Sequence, residues 1–139
     1  MEQDTLNAIA LLEQGDYTCV ICLGDLCHTA TERGVKPLLD WLDSGLDLKG
    51  FCAADRVVGR GAAFLYCLLE VREVYARVLS RPAREVLEAA GIRCHWQTLT
   101  DGIINRRGTG PCPFEEAVMD ITDPRSALEA IREKRRQMT

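Results

Sequence analysis

The sequence has no window of about 18 consecutive apolar residues, the length a helix needs to cross a bilayer, so no transmembrane helix is expected. It also lacks a basic excess. Seventeen Lys and Arg stand against 21 Asp and Glu, a net charge of −4. General nucleic-acid binders displace phosphate counterions with a basic surface, so no nucleic-acid partner is expected. The start, Met-Glu-Gln-Asp, has neither the cationic residues nor the apolar run of a secretory signal. Aromatic residues are only 6% of the chain and histidines number two. No internal repeat, low-complexity tract or dividing linker is visible, and no cofactor motif stands out.

What is present is ordinary globular material: 139 residues, 47% of them apolar. That length suits one domain over 1–139, and a domain of this size buries roughly two-thirds of its unfolded surface. The seven cysteines (19, 22, 27, 52, 67, 94 and 112) are an odd number scattered through apolar segments. They read as buried free thiols in a reducing compartment rather than a disulfide framework, which implies a cytoplasmic protein. Arg132, Lys134, Arg135 and Arg136 read as the solvated end of a last helix, where cations suit the dipole.

Hydrophobic spacing predicts a helix over Asp4–Gln14, then a hairpin of Tyr17–Leu23 and Leu26–Thr31 around Gly24-Asp25. A short helix follows Gly34-Val35-Lys36-Pro37, with Gly45 past its end. Asp55–Leu69 is apolar nearly all round and predicts a buried helix headed by Asp55. Val74–Leu79 reads as a strand, Ser80–Ala90 as a capped helix, and Ile92–Leu99 as a second strand parallel to the first. A loop over 101–111 precedes a short helix from Pro113. Asp123-Pro124 opens a final helix with a narrow stripe of Ala127, Leu128 and Ile131. The sum is a three-layer α/β/α sandwich with a mixed sheet.

Two features carry a resemblance. Glu73–Ile92 resembles the strand–helix unit of cytidine and nucleobase deaminases, in which a strand ends in Pro-Cys-x-x-Cys and the helix stops at an Ala-Gly-Ile-type sequence. The segment after Ala53-Ala54-Asp55 resembles the deaminase helix that opens with His-x-Glu or Cys-x-Glu. More closely, three stretches are similar to a bacterial domain-of-unknown-function group with a divergent cytidine-deaminase-like fold. They are Arg33–Leu38, Ala54–Arg60 and Ile104–Val118, the last being Ile-Asn-Arg-Arg-Gly-Thr-Gly-Pro-Cys-Pro-Phe-Glu-Glu-Ala-Val. The resemblance implies a cytidine-deaminase-like fold and a homodimer, with which the stripe on the last helix is compatible.

Zinc deaminases hold the metal with three N or S ligands and use a separate Glu as proton shuttle. The positions matching Pro-Cys-x-x-Cys, around Pro82, Ala83, Glu85 and Val86, carry no thiol, and Ala53-Ala54-Asp55 replaces His-x-Glu. Asp55 alone remains, where the shuttle carboxylate is expected. Cys19-Val-Ile-Cys22 has metal-ligand spacing but lies in a strand, where residues three apart face opposite ways. Cys94-His95 fails for the same reason, and His28 reads as a surface or edge residue.

The candidate site is therefore a zinc-independent one for a small-molecule ligand, nucleobase- or nucleoside-like by fold analogy. Asp55, Cys112 and Glu115 are the candidate catalytic residues: Cys112 a helix-capping thiol and nucleophile, Asp55 or Glu115 the acid/base. Lys36, Arg56, Arg60, Asn105, Arg106, Gly108 and Gly110 are the candidate ligand-binding residues. The cations would hold an anion, and the glycines would permit close backbone approach. Two other readings stand beside it. One is a non-catalytic binding or regulatory domain with a decayed site. The other is a metal-dependent hydrolase or deaminase using an unconventional set such as Cys52, Asp55 and Cys112.

Overall fold

A computed structural model of the chain describes residues 1–105 and 107–138. Helix α1 (Gln3–Gln14) leads into the hairpin β1 (Cys19–Leu23) and β2 (Leu26–Ala30). Gly24, at φ +58°, supplies the left-handed backbone of its two-residue turn. There follow α2 (Lys36–Ser44), β3 (Cys52–Val58), α3 (Arg60–Leu69), β4 (Glu73–Ser80), α4 (Arg81–Ala89) and β5 (Arg93–Thr100). The short α5 (Pro113–Ala117) and the terminal α6 (Pro124–Met138) complete the order.

The five strands form one mixed sheet in the order β2-β1-β3-β4-β5. β1 is antiparallel to both its neighbours, whereas β3, β4 and β5 run parallel. Helix α1 covers one face, packing Ala8 and Leu12 on Val20, Cys22 and Ala54. The other face carries the larger core, in which Leu38 and Leu39 of α2, Phe64 and Leu65 of α3, Leu87 of α4 and Ile131 of α6 meet Ile21, Ala53 and Val74. This is an α/β fold with helices on both faces of a mixed sheet, as the sequence implies.

One element departs from expectation. Asp55 does not head a helix: Cys52–Val58 is a strand, and the helix begins five residues later at Arg60. β3 lies between α1 and α3, so a strand pattern that normally alternates becomes apolar on both sides. Joined to the apolar run of α3, it mimics a longer buried helix. Arg56 and Arg60 therefore do not share a helix face. The pairing of thiols differs too. Cys22 and Cys27, opposite each other in the hairpin, form a disulfide, and the other five cysteines are free. Cys19 and Cys22 do face opposite ways, one into each core. The stripe on α6 packs on the larger core, with Ala127 and Ile131 fully buried and Leu128 partly buried against it. No helix among the described residues is long and apolar enough to cross a membrane.

Among the described residues three polar ones, Thr5, Glu73 and Ser80, are fully buried. Glu73 is fully buried at the start of β4 and ties α1 to the sheet. It accepts from the Glu2 amide (2.8 Å) and the Thr5 hydroxyl (2.6 Å), with His95 Nε2 at 3.2 Å. Burial alone would raise its pKa, but the Thr5, Glu2 and His95 bonds outweigh it and hold the carboxyl below the usual value. Ser80, also fully buried, caps α4 by accepting the Ala83 amide at 3.1 Å. Ser80→Ala leaves that amide unsatisfied and is expected to cost about 1–2 kcal/mol. Urea unfolding followed by circular dichroism checks it; a midpoint equal to wild type would refute the cap's contribution.

Candidate functional site

A cleft of about 320 Å³ opens at the carboxyl end of β3. Its walls are Asp55, Arg56 and Gly59 from β3 and the turn after it, Arg33 and Val35 before α2, and Cys112, Phe114 and Glu115 around α5. Ligand sites of open α/β sheets lie in such crevices, outside the carboxyl ends of the strands where the chain direction changes. Here β3, the first of the parallel strands, abuts antiparallel β1.

Asp55 points toward α3, on the same face as Cys19, its register partner across β1. Tyr66 of α3, fully buried, donates its hydroxyl hydrogen to Asp55 Oδ2 at 2.6 Å, and Cys19 Sγ lies 3.1 Å from the same hydroxyl. A phenol has one hydrogen, and Asp55 takes it. The Cys19 thiol is left to donate to the Tyr66 oxygen or to the Asp55 carboxylate, and thiol, phenol and carboxylate form one connected group. Burial pushes the Asp55 carboxyl up to about 6, with the Tyr66 hydroxyl and the Val57 and Arg56 amides opposing. Burial, and then the Asp55 charge, hold both Cys19 and Tyr66 well above their ordinary values, so both stay neutral.

Glu115 reaches from α5 to the start of α3, where Oε1 accepts the Gly61 amide at 3.1 Å. Burial raises its pKa against the Gly61 and Arg60 amides and the Arg60 charge. The contact needs Gly59 to lack a side chain. A Cβ there would fall 2.6 Å from Glu115 Cδ and 2.9 Å from Ile103 Cγ1. Gly61 serves packing instead, with Phe114 and Ile131 close above it.

Of the residues singled out in the sequence, Asp55, Arg56, Cys112 and Glu115 meet at the cleft. Cys112 stands at the N-cap of α5, as expected, though its side chain makes no capping bond. Arg56 is half-buried, and its Nε is sealed from solvent without a hydrogen-bond partner among the described residues. Lys36 lies outside the cleft, held at the surface by Asp40 (2.8 Å) and Glu32 (3.2 Å). Arg60 turns the other way, donating to the Val118 and Ile121 carbonyls and stacking over Phe64. Asn105 closes its own loop: its side chain bonds Thr109 and its amide bonds Gly110 O. Gly108 (φ +70°) and Gly110 shape that loop rather than the cleft wall. Arg106 falls outside the described residues.

Sequence reasoning missed Arg33, Cys19 and Tyr66. Cys19 was legible as a core thiol, which it is; its pairing with Asp55 follows only once Asp55 is known to be in a strand. No three His, Cys, Asp or Glu side chains among the described residues are grouped to hold a metal ion. The set Cys52, Asp55 and Cys112 is not brought together, because Cys52, three residues from Asp55 along β3, faces α1 beside Thr5.

Two outcomes follow from this geometry. Asp55 binds its proton more tightly folded than unfolded, so its contribution to stability is full below about pH 4 and is lost as pH rises through about 6. Asp55→Asn removes this dependence. Its stability relative to wild type should rise between those limits by on the order of 3 kcal/mol and then level off; a pH-independent difference in chemical unfolding would contradict the assignment. Gly59→Ala should cost about 1–3 kcal/mol and detach Glu115 from α3, seen as faster amide hydrogen exchange at Gly61. Unchanged exchange there would show that the Glu115 contact does not depend on Gly59.

A family model described as TM1506, a domain of unknown function (DUF1893), matches residues 7–135. The crystal structure of a DUF1893 family protein (TM1506) from Thermotoga maritima is similar with a TM-score of 0.87 at 24% sequence identity, covering 96% of this chain and 92% of that one. At that identity the likeness concerns the fold. No curated protein sequence matches the chain. With its family model spanning nearly the whole length, the chain belongs to the DUF1893 family.

Proposed function

We propose that the cleft is a zinc-independent small-molecule site on a cytidine-deaminase-like scaffold, taking a nucleobase- or nucleoside-like ligand. The observation that carries this reading is Asp55: a carboxyl in the cleft wall, backed by Tyr66 and Cys19, and titrating at about 6. A group poised near neutrality can take and return a proton during a reaction. Protonated, it donates one hydrogen and accepts another, which matches the paired donor and acceptor on the amide or amidine edge of a nucleobase. Arg56, with its unsatisfied Nε, supplies a donor for a carbonyl or anionic group. Cys112 is the candidate nucleophile, and Glu115 fixes α5 over the cleft.

The residues do not fit the zinc of the deaminases. The expected helix start at Ala53-Ala54-Asp55 is strand. Of the three helix starts that border the cleft, Val35-Lys36-Pro37 and Gly59-Arg60-Gly61 carry no His or Cys, and Cys112 at the start of α5 is a single thiol where three N or S ligands are needed. No step is therefore routed through a metal. Asp55 works with a phenol and a thiol in place of one.

Calorimetric titration of wild type with cytosine, cytidine, adenine and adenosine at about pH 6 tests the reading. Binding of at least one is expected. Asp55→Ala and Arg56→Met should each weaken it by about tenfold or more, roughly the loss of one buried polar contact. Ammonia or base release that stops in Cys112→Ser would assign an enzyme. Binding without turnover would assign the non-catalytic ligand-binding reading. No heat from any of the four overturns the proposed ligand class.

A further inference from the structure

A row of three cysteines lies on the opposite face of the sheet from Asp55. Cys22 of β1 pairs in register with Cys27 of β2 on one side and with Cys52 of β3 on the other. Directly opposed residues share a face, so the three side chains form a row across three strands beneath α1. Cys22 and Cys52 are fully buried, and Cys27 is half-buried on the edge strand. Cys22 and Cys27 are bonded, and Cys52 is a free thiol. A disulfide whose central sulfur has a thiol on its far side is set up for exchange, since a thiolate attacks one sulfur as the other leaves.

We propose that Cys27, Cys22 and Cys52 form a thiol-exchange site in which the disulfide of Cys22 moves between its two neighbours. The Cys52 thiolate attacks Cys22 Sγ, and a Cys22–Cys52 bond forms as the Cys22–Cys27 bond breaks. The electron pair goes to Cys27 Sγ, which takes up the proton that Cys52 released, so no electrons are gained or lost overall. The exchange carries the free thiol from the buried third strand to the edge of the sheet, where Cys27 can meet a low-molecular-weight disulfide. Burial of Cys52, with the Glu73 and Asp4 charges, disfavours its thiolate, whereas Thr5 and the Arg72 charge favour it. Exchange therefore quickens as pH rises.

Acid quenching, denaturation, alkylation with N-ethylmaleimide and tryptic mapping read the pairing. Wild type incubated at rising pH, from about 7 to about 9, should show the peptide Met1–Arg33 increasingly linked to Gly50–Arg56. Native Cys27 should become alkylated in step, and Cys52→Ser should abolish both changes. In Cys27→Ser, oxidised glutathione should drive a Cys22–Cys52 link. A wild type that keeps only the Cys22–Cys27 loop across this range overturns the proposal, whatever the folding of the variants. So does recovery of all three cysteines as free thiols after oxidised glutathione treatment.

Discussion

A carboxylate on a strand covered by helices on both faces has little water to solvate it, and the architecture around the cleft can be understood from that constraint. β3 is apolar where α1 and α3 cover it; Asp55 is the residue at which the strand emerges from cover. Its charge is met by one buried phenol, two backbone amides and the Cys19 thiol, and no cation among the described residues is within bonding distance. That is enough to hold the group in place and too little to keep it ionised at every pH. Tyr66 must in turn come from the middle of α3. This fixes how α3 lies on the sheet, and α3 is the helix against which α2, α4, α5 and α6 all pack.

Much of this was legible in the residues, and what was not has a common physical cause. The hairpin, the Ser80 cap, the parallel pair β4–β5 and the Cys112 N-cap all rest on local signals: turn glycines, a hydroxyl before a proline, period-two spacing. β3 was hidden because burial on both faces erases its alternation, and the error propagated to everything placed by it. Asp55 was singled out but given a helix cap to explain it. Arg56 and Arg60 were both read as cations holding an anion, whereas one borders the cleft and the other anchors the backbone at Val118 and Ile121. Lys36 carried a charge suited to a clamp, but two carboxylates one turn away on either side claim it. The free-thiol reading failed at Cys22 and Cys27 because cross-strand pairing depends on hairpin register, which a cysteine count does not contain.

The described residues of the segment 103–112 pair several of their backbone groups within the loop itself. Ile104 bridges Pro111, Asn105 bonds Gly110 and Thr109, and the Cys112 amide closes on Ile103. The glycines here serve the loop's own closure. The residues it presents to the cleft, Ile103 and Cys112, sit at its two ends. These bonds hold the two ends of the loop together, while Glu115 through the Gly61 amide and Val118 through Arg60 tie the following helix to α3.

The chain from Cys19 through Tyr66 to Asp55 has a direction, and the direction depends on the charge state of its last member. While Asp55 is ionised, every hydrogen points toward it. Once it is protonated, its own hydrogen can point back at the Tyr66 oxygen, the phenol hydrogen swings toward the Cys19 sulfur, and the dipoles of all three groups turn over together. A single proton taken up at the cleft can thereby be registered at a sulfur atom on the neighbouring strand.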